Sequence, residues 1–329
     1  MSSEQINLSI IITSLNDLNS FRVLEDLSEA NFNGLLFEFL FLEAGENKEN
    51  EVRKILKSHE QKLKYFHNPN LNRTASLNFL INESKGEYIS RLDSRTHIYP
   101  NYFLDLYNKS KMLDVQNIGG VKKPIGETKK QKFIASIMSS KFCFGGVKFR
   151  NLNFSGFVKT VYLGFFQSEF LKKKKLKFDE SQPKISEDSD LNFQIIKNGG
   201  KIYCDSSILV EYYSRDSISS FLKMIYNYGF GRGLFFQKNR FLEIRQFIPP
   251  MLFLSIIFLI LFSFFTPISA KLLSILLFFY GLVNTYFVLK LNFKLKQSIN
   301  AFILFFLTHL IWSFGFFCSF KALYFLGKR

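Results

Sequence analysis

Asp93 and Arg95 close a short strand-like run, Tyr88-Ile89-Ser90-Arg91-Leu92, and Pro100 follows shortly after. A buried strand that ends in a carboxylate and a guanidinium delivers both to the lip of a sheet, where open α/β sheets bind their ligands. That pair suits a sugar nucleotide, whose phosphates are anionic and whose sugar carries hydroxyls. An ion pair capping the strand end is the plainer reading of the same residues. His97, alone ahead of Ile98-Tyr99-Pro100, reads as a hydrogen-bonded loop residue.

A second cluster, Glu187, Asp188 and Asp190, lies within residues 184–200. Leu191, Ile195 and Ile196 share one helical face and Gly199-Gly200 is a stop, so the three carboxylates crowd the first turn of a helix. A positioned carboxylate there can act as a general base. Capping by Ser186, Asp188 or Ser189 is the alternative, although capping does not require three acids in one turn.

The elements that must position these groups alternate. Leu8 to Ser14, Leu35 to Leu42, Leu63 to His67 and the run ending at Asp93 read as strands, with helical spacing at Phe21 to Leu27, residues 48–58 and Ala75 to Ile81 between them. Alternation at this spacing implies right-handed crossovers and a mostly parallel sheet. Thr13, Glu43 and Asp93 then all fall at C-terminal strand ends. A helix is expected from Pro100 to about Met112, strands at residues 118–121, 158–164, 202–204 and 208–213, and a helix over residues 217–228 ending at Gly229. The basic stretch 129–150, with an apolar centre at Phe133 to Met138, reads either as a segment lying on anionic headgroups or as a solvated helix packed on the sheet. Lys172 to Lys175 reads as a solvated helix end.

Residues 247–329 contain no Asp or Glu and hold seven of the sixteen net positive charges. Three apolar runs, 247–265, 272–289 and 301–320, approach the ~20 residues that cross a bilayer as a helix. The expected organisation is a soluble domain, 1–246, followed by a membrane domain, 247–329. Lys290, Lys294 and Lys296 between the second and third runs outnumber Lys271 between the first and second, which places that loop and residues 1–246 in the cytoplasm. Lys328 and Arg329 then end on the far side, against the same rule. The first residues have neither a basic n-region nor a long apolar stretch, and Cys143, Cys204 and Cys318 form no CxxC pair, which excludes a disulfide framework or zinc cluster and fits a reducing compartment. The basic residues are scattered or close to the apolar tail, so nucleic acid is not an expected partner.

Taken in order, Ile10 to Ser14, Asn68 to Asn78, Gly86 to Pro100, Gly119-Gly120-Val121, Thr160 to Gly164, Glu187-Asp188-Ser189-Asp190-Leu191-Asn192, Gly199-Gly200 and Tyr212 to Arg215 resemble a family 2 inverting glycosyltransferase. The likeness is narrower to the succinoglycan-biosynthesis type, which joins a catalytic domain to C-terminal membrane helices. No one motif is specific; their order is. The resemblance implies a glycosyltransferase A-type fold with a Rossmann-like sheet, a nucleoside diphosphate sugar donor and a divalent metal, magnesium or manganese. It sets Thr13, Glu43, Arg73, Asn78, Asp93 and Arg95 on the donor side, with Asp93 as the metal contact. Arg95 stands where the family commonly has Asp or His; a guanidinium has no lone pair to give a metal but can clamp diphosphate oxygens. The base falls on Asp188, with Glu187 beside it and Asp190 as the alternative. Met224 occupies an apparent Gln position and Lys159 an Asp position, and both bear on acceptor recognition.

The reaction so implied moves a sugar to a lipid-linked saccharide at the cytoplasmic face of the inner membrane, by a multi-pass protein, in cell-surface polysaccharide or exopolysaccharide synthesis. A polyprenyl-phosphate sugar synthase and a non-catalytic nucleotide-binding membrane protein are the alternatives.

Overall fold

The structure is a computed structural model that describes residues 5–180 and 187–326. Strand β1 (Leu8–Ser14) leads through α1 (Asn19–Ser28) to β2 (Phe37–Glu43), and α2 (Glu49–Ile55) leads to β3 (Leu63–His67). Then come α3 (Arg73–Glu83), β4 (Tyr88–Leu92), the two-residue β5 (Thr96–His97), α4 (Tyr102–Leu113) and β6 (Asn117–Ile125). Helices α5 (Lys129–Ser139) and α6 (Lys141–Phe144) precede β7 (Gly156–Phe157), β8 (Phe165–Gln167), α7 (Ser168–Lys173), α8 (Glu187–Lys197) and β9 (Ile202–Tyr213). Four helices follow, α9 (Ile218–Asn239), α10 (Ile244–Ser263), α11 (Pro267–Leu289) and α12 (Leu295–Leu326).

Two compact units divide the chain, one of residues 1–125 and 148–213, the other of residues 126–147 and 214–329. The boundary expected at residue 246 therefore differs from the division by compactness. The reason is that α5, α6 and α9 bury apolar faces among the C-terminal helices: the Phe142 ring stacks on Phe287 at 4.9 Å and meets Phe305 at 5.4 Å.

The first unit is a mixed α/β sheet in the order β3-β2-β1-β4-β8-β6-β9-β5, with β7 on β9. β3, β2, β1 and β4 are parallel, as is β6 with β9, while β8 runs antiparallel between β4 and β6. Leu8, Ile10, Ile11, Ile12, Phe39 and Leu40 are fully buried, the signature of strands covered on both faces. Two strand expectations change. Residues 158–164 do not form a strand: Leu163 and Gly164 both have positive φ, so the chain turns there before β8 begins at Phe165. Burial of Val161 and Tyr162 gives that turn the apolar look of a strand. The two strands expected within 202–213 are one strand, β9, whose pairing with β6 jumps from Gly120↔Asp205 to Val121↔Leu209. A Cβ on Gly120 would lie 2.0 Å from the Ile208 carbonyl oxygen, so the bulge requires glycine there.

In the second unit, α10, α11 and the Leu295–Lys321 part of α12 are long and apolar enough to cross a membrane. Helix α9 does not stop at Gly229. A Cβ there would meet the Trp312 carbonyl oxygen at 1.9 Å, and one on Gly233 would meet Ser319 Oγ at 2.1 Å. These glycines let α9 and α12 approach backbone to backbone, in the small-xxx-small manner, and packing overrides their weak helix propensity.

Candidate active site

Alternation along β4 puts Arg91 on the same side as Asp93, which lies just past the strand's end. Arg91 is 3% exposed. Its Nε and Nη2 donate to Asp93 Oδ1 at 3.1 and 3.0 Å, and Nη2 also reaches Glu187 Oε1 at 3.0 Å. Arg73, at the start of α3, repeats the arrangement: Nη2 donates to Asp93 Oδ1 at 2.6 Å and Nε to Glu187 Oε1 at 3.2 Å. Asn72 caps that helix by accepting from the Ala75 N–H, which fixes where Arg73 emerges. Two arginines and two carboxylates thus join the end of β4, the start of α3 and the first turn of α8.

Burial alone would raise the Asp93 carboxyl, but Arg91 and Arg73 outweigh it and hold the group well below the usual carboxylate range. Asp188 goes the other way. Loss of water pushes it up, the adjacent Glu187 charge adds to this, and Arg91 and the Ser189 N–H oppose only in part. The two nearby carboxyls thus shift in opposite directions, Asp93 held anionic and Asp188 raised. Arg91 Nη1 is buried without a hydrogen-bond partner among the described residues, a spare donor beside the network.

Two cationic residues that sequence reasoning passed over belong here. Arg91 is one; a charge inside a strand buried on both faces, two residues ahead of an acid, was the available signal. Lys122 on β6 is the other. It is buried, its Nζ lies 3.7 Å from the Tyr162 ring centroid and 3.4 Å from that of Tyr212, and its charge also lowers Asp93.

The remaining expected residues are dispersed in role. Thr13 sits at the end of β1, opposite Leu42. Glu43 is 1% exposed and its Oε1 accepts the N–H groups of Asn16 at 3.0 Å and Gly45 at 2.8 Å, so it ties the loops after β1 and β2 together. Asn78, expected on the donor side, is turned to residues 178–180. Its Nδ2 donates to the Phe178 carbonyl and to Glu180 Oε1, both at 2.8 Å, and its Oδ1 accepts from the Phe178 N–H at 2.9 Å. Every polar atom of the side chain is spent on holding residues 178–180. Asp190 is fully buried and its Oδ2 accepts from Gln194 Nε2 at 2.9 Å, which gives it a packing place inside α8. The capping expected of Ser186 lies outside the described residues.

Arg95 stands apart from the arginine pair. Its charge acts on Asp17, a residue sequence reasoning also missed, in the loop between β1 and α1. Burial would raise Asp17, but hydrogen bonds from Ser94 Oγ at 2.5 Å and from Asn19, together with Arg95, lower it. His97 pairs with Asp26 Oδ1 at 2.8 Å, hydrogen-bonded as expected but in the short strand β5 and not in a loop.

These groups do not by themselves build a metal site. Asp93 Oδ1 already faces two guanidinium groups, Arg95 has no lone pair, and no group of three His, Cys, Asp or Glu side chains able to hold a metal occurs among the described residues.

The mixed α/β sheet, with its ionic cluster at the C-terminal ends of parallel strands, is of glycosyltransferase A type. Residues 9–173 match the Glycosyl transferase family 2 model, and the chain belongs to that family. A protein of Methanococcus voltae, dolichyl N-acetyl-alpha-D-glucosaminyl phosphate 3-beta-D-2,3-diacetamido-2,3-dideoxy-beta-D-glucuronosyltransferase, is 26% identical over 277 residues, which is 81% of each chain. Among solved structures, mannosyltransferase PcManGT from Pyrobaculum calidifontis, in complex with GDP-Man and Mn2+, shares the fold at a TM-score of 0.53 and 12% identity, over 91% of this chain and 74% of that one. S. aureus TarS aligns over 67% of this chain and only 38% of its own length, with 16% identity and a TM-score of 0.45.

Proposed function

We propose that the protein is a membrane-associated inverting glycosyltransferase that moves a sugar from a nucleoside diphosphate sugar to a lipid-linked saccharide. The observation that carries this is the junction at Glu187. The same two arginines that fix Asp93 fix Glu187, and so bring Asp188 beside the donor-side acid. In a single displacement the acceptor hydroxyl attacks the anomeric carbon, its proton passes to Asp188, and the bond to the nucleoside diphosphate breaks with its electron pair leaving on the phosphate oxygen. Arg73, Arg91 and Lys122 supply fixed positive charge against the anion that departs, and Arg95 clamps the diphosphate from the side of Asp17. Magnesium or manganese would enter this reading only with the bound donor, where Asp93 would be the residue to hold it and the ion would add positive charge to the diphosphate; no step is assigned to it.

The relative from M. voltae is named for a dolichyl-phosphate-linked sugar acceptor, which favours a saccharide on a lipid carrier over a bare polyprenyl phosphate. We place the reaction at the cytoplasmic face of the inner membrane, in assembly of a cell-surface polysaccharide. The test is release of nucleoside diphosphate by the purified full chain, offered a panel of nucleotide sugars with lipid-linked saccharides or with polyprenyl phosphate alone. Turnover only with the saccharide-bearing lipid is the expected result. Turnover with polyprenyl phosphate alone makes it a lipid-phosphate sugar synthase, and nucleotide binding without turnover makes it a binding protein.

A further inference from the structure

Three successive membrane crossings fold as a serpentine, in which α10 and α12 run the same way and start on the same side. Phe253, the tenth residue of α10, would then lie near Leu304, the tenth residue of α12. Its ring instead packs on Phe317 at 5.9 Å, ~20 Å further along the helix axis. Phe247 agrees, since it meets Phe236 of α9 at 6.1 Å and Phe236 in turn packs on Phe316 and Phe320. At the other end, Asn284 Nδ2 of α11 donates to the Phe302 carbonyl at 2.9 Å and Tyr280 Oη reaches His309 Nδ1 at 3.0 Å. The α10–α11 hairpin therefore leaves from one end of α12 and returns to the other. Two crossings restore the side on which the chain began, so both ends of α12 lie in one aqueous phase.

We infer that only the α10–α11 hairpin enters the bilayer, and that α12 lies along an anionic lipid surface, clasped by α9 and α6. Coverage agrees with this. Within their apolar windows α10 and α11 are 6% and 11% buried, whereas α12 is 39% buried, with Ala301, Leu304, Phe305, Thr308, Phe316 and Ser319 forming a closed face. Part of that cover is α9, which carries Lys223, Arg232 and Lys238 and would be costly to hold in hydrocarbon. The charges fall into place as well. Lys290, Lys294 and Lys296 at one end of α12 and Lys321 at the other share a side, where three crossings would separate them. A row of cations beside exposed apolar side chains is the chemistry of an interfacial platform on acidic headgroups.

Phe265→Cys, Asn292→Cys and Lys321→Cys, introduced singly into the full chain, place a thiol at the hairpin turn and at the two ends of α12, all exposed positions. Sealed membrane vesicles and intact cells are treated with a membrane-impermeant maleimide, with the unsubstituted protein as background. Positions 292 and 321 should label from one side and position 265 from the other. Labelling of 292 and 321 from opposite sides overturns the in-plane α12, and labelling of all three from one side overturns the crossing hairpin. Should a cysteine variant fail to reach the membrane, a phosphatase active only outside the cell and a fluorescent protein that folds only inside, placed after Asn292 and after Arg329, give the same readout. The two fusions are expected to agree, and disagreement refutes the proposal.

Discussion

Arg91 and Glu187, separated by 96 positions in the chain, meet at 3.0 Å in the buried interior of the first unit. Through that contact the strand that carries Asp93 and the helix that carries Asp188 become one site. Arg91→Met takes one cation from buried Glu187 and partly buried Asp93 and leaves Arg73 as the guanidinium they share; removing one partner from a buried ionic network costs about 3–5 kcal/mol. Thermal unfolding in detergent should show a drop of several degrees together with lost donor binding.

Asp188→Asn keeps the shape of the first turn of α8 and removes its proton acceptor. Transfer should fall by about 10²–10⁴-fold, the usual contribution of a general base, while nucleoside diphosphate binding by calorimetry stays near the native value. Loss of binding along with activity would assign Asp188 to capping.

The opposite shifts of Asp93 and Asp188 set the acid limb of the rate profile. Asp188 must be ionised to work and its pKa is raised, so the fall of kcat/KM with decreasing pH should lie above the ~3.9 of a free Asp carboxyl. Asp93 remains ionised across that range. Glu187→Gln removes the like charge that helps to raise Asp188 and should move the limb to lower pH. A limb that stays in place separates Asp188 from the proton transfer.

Asn78→Ala is expected to destabilise without touching the donor site. The change strands the Phe178 N–H and C=O, and each buried polar group left unpaired costs about 1–3 kcal/mol. Unfolding should shift downward while KM for the nucleotide sugar holds. A raised KM at unchanged stability would return Asn78 to the donor side.

Arg95→Ala tests the clamp. Donor KM should rise, and rise most in the presence of chelator, because the diphosphate then depends on side-chain cations alone. If the native enzyme is inert without magnesium or manganese and Arg95→Ala costs nothing, the clamp is wrong.

Much of this was legible from the chain alone, for identifiable reasons. β1 announces itself because a strand buried on both faces reads as a nearly continuous apolar run between turn residues. Asp93 and Asp188 stand out as acids at strand and helix ends. Arg91 and Lys122 did not: Asp93 stands two residues from Arg91, but Glu187, which completes that network, and the Tyr162 and Tyr212 rings around Lys122 lie far away in sequence. Asn78 shows the converse: a polar residue inside a motif, whose hydrogen bonds hold residues 178–180. Leu163 and Gly164 mislead because apolar residues in a buried turn have the composition of a strand. The glycines of α9 read as a stop until α12, about 80 residues further on, is seen against them.

The same glycine contact bears on self-association. Small-residue seams are a common way for apolar helices to pair between chains. Here Gly229 and Gly233 on α9, and Gly315 on α12, are already closed against each other within one chain. A second copy finds no such seam on that face, which is already spent on the fold of a single chain.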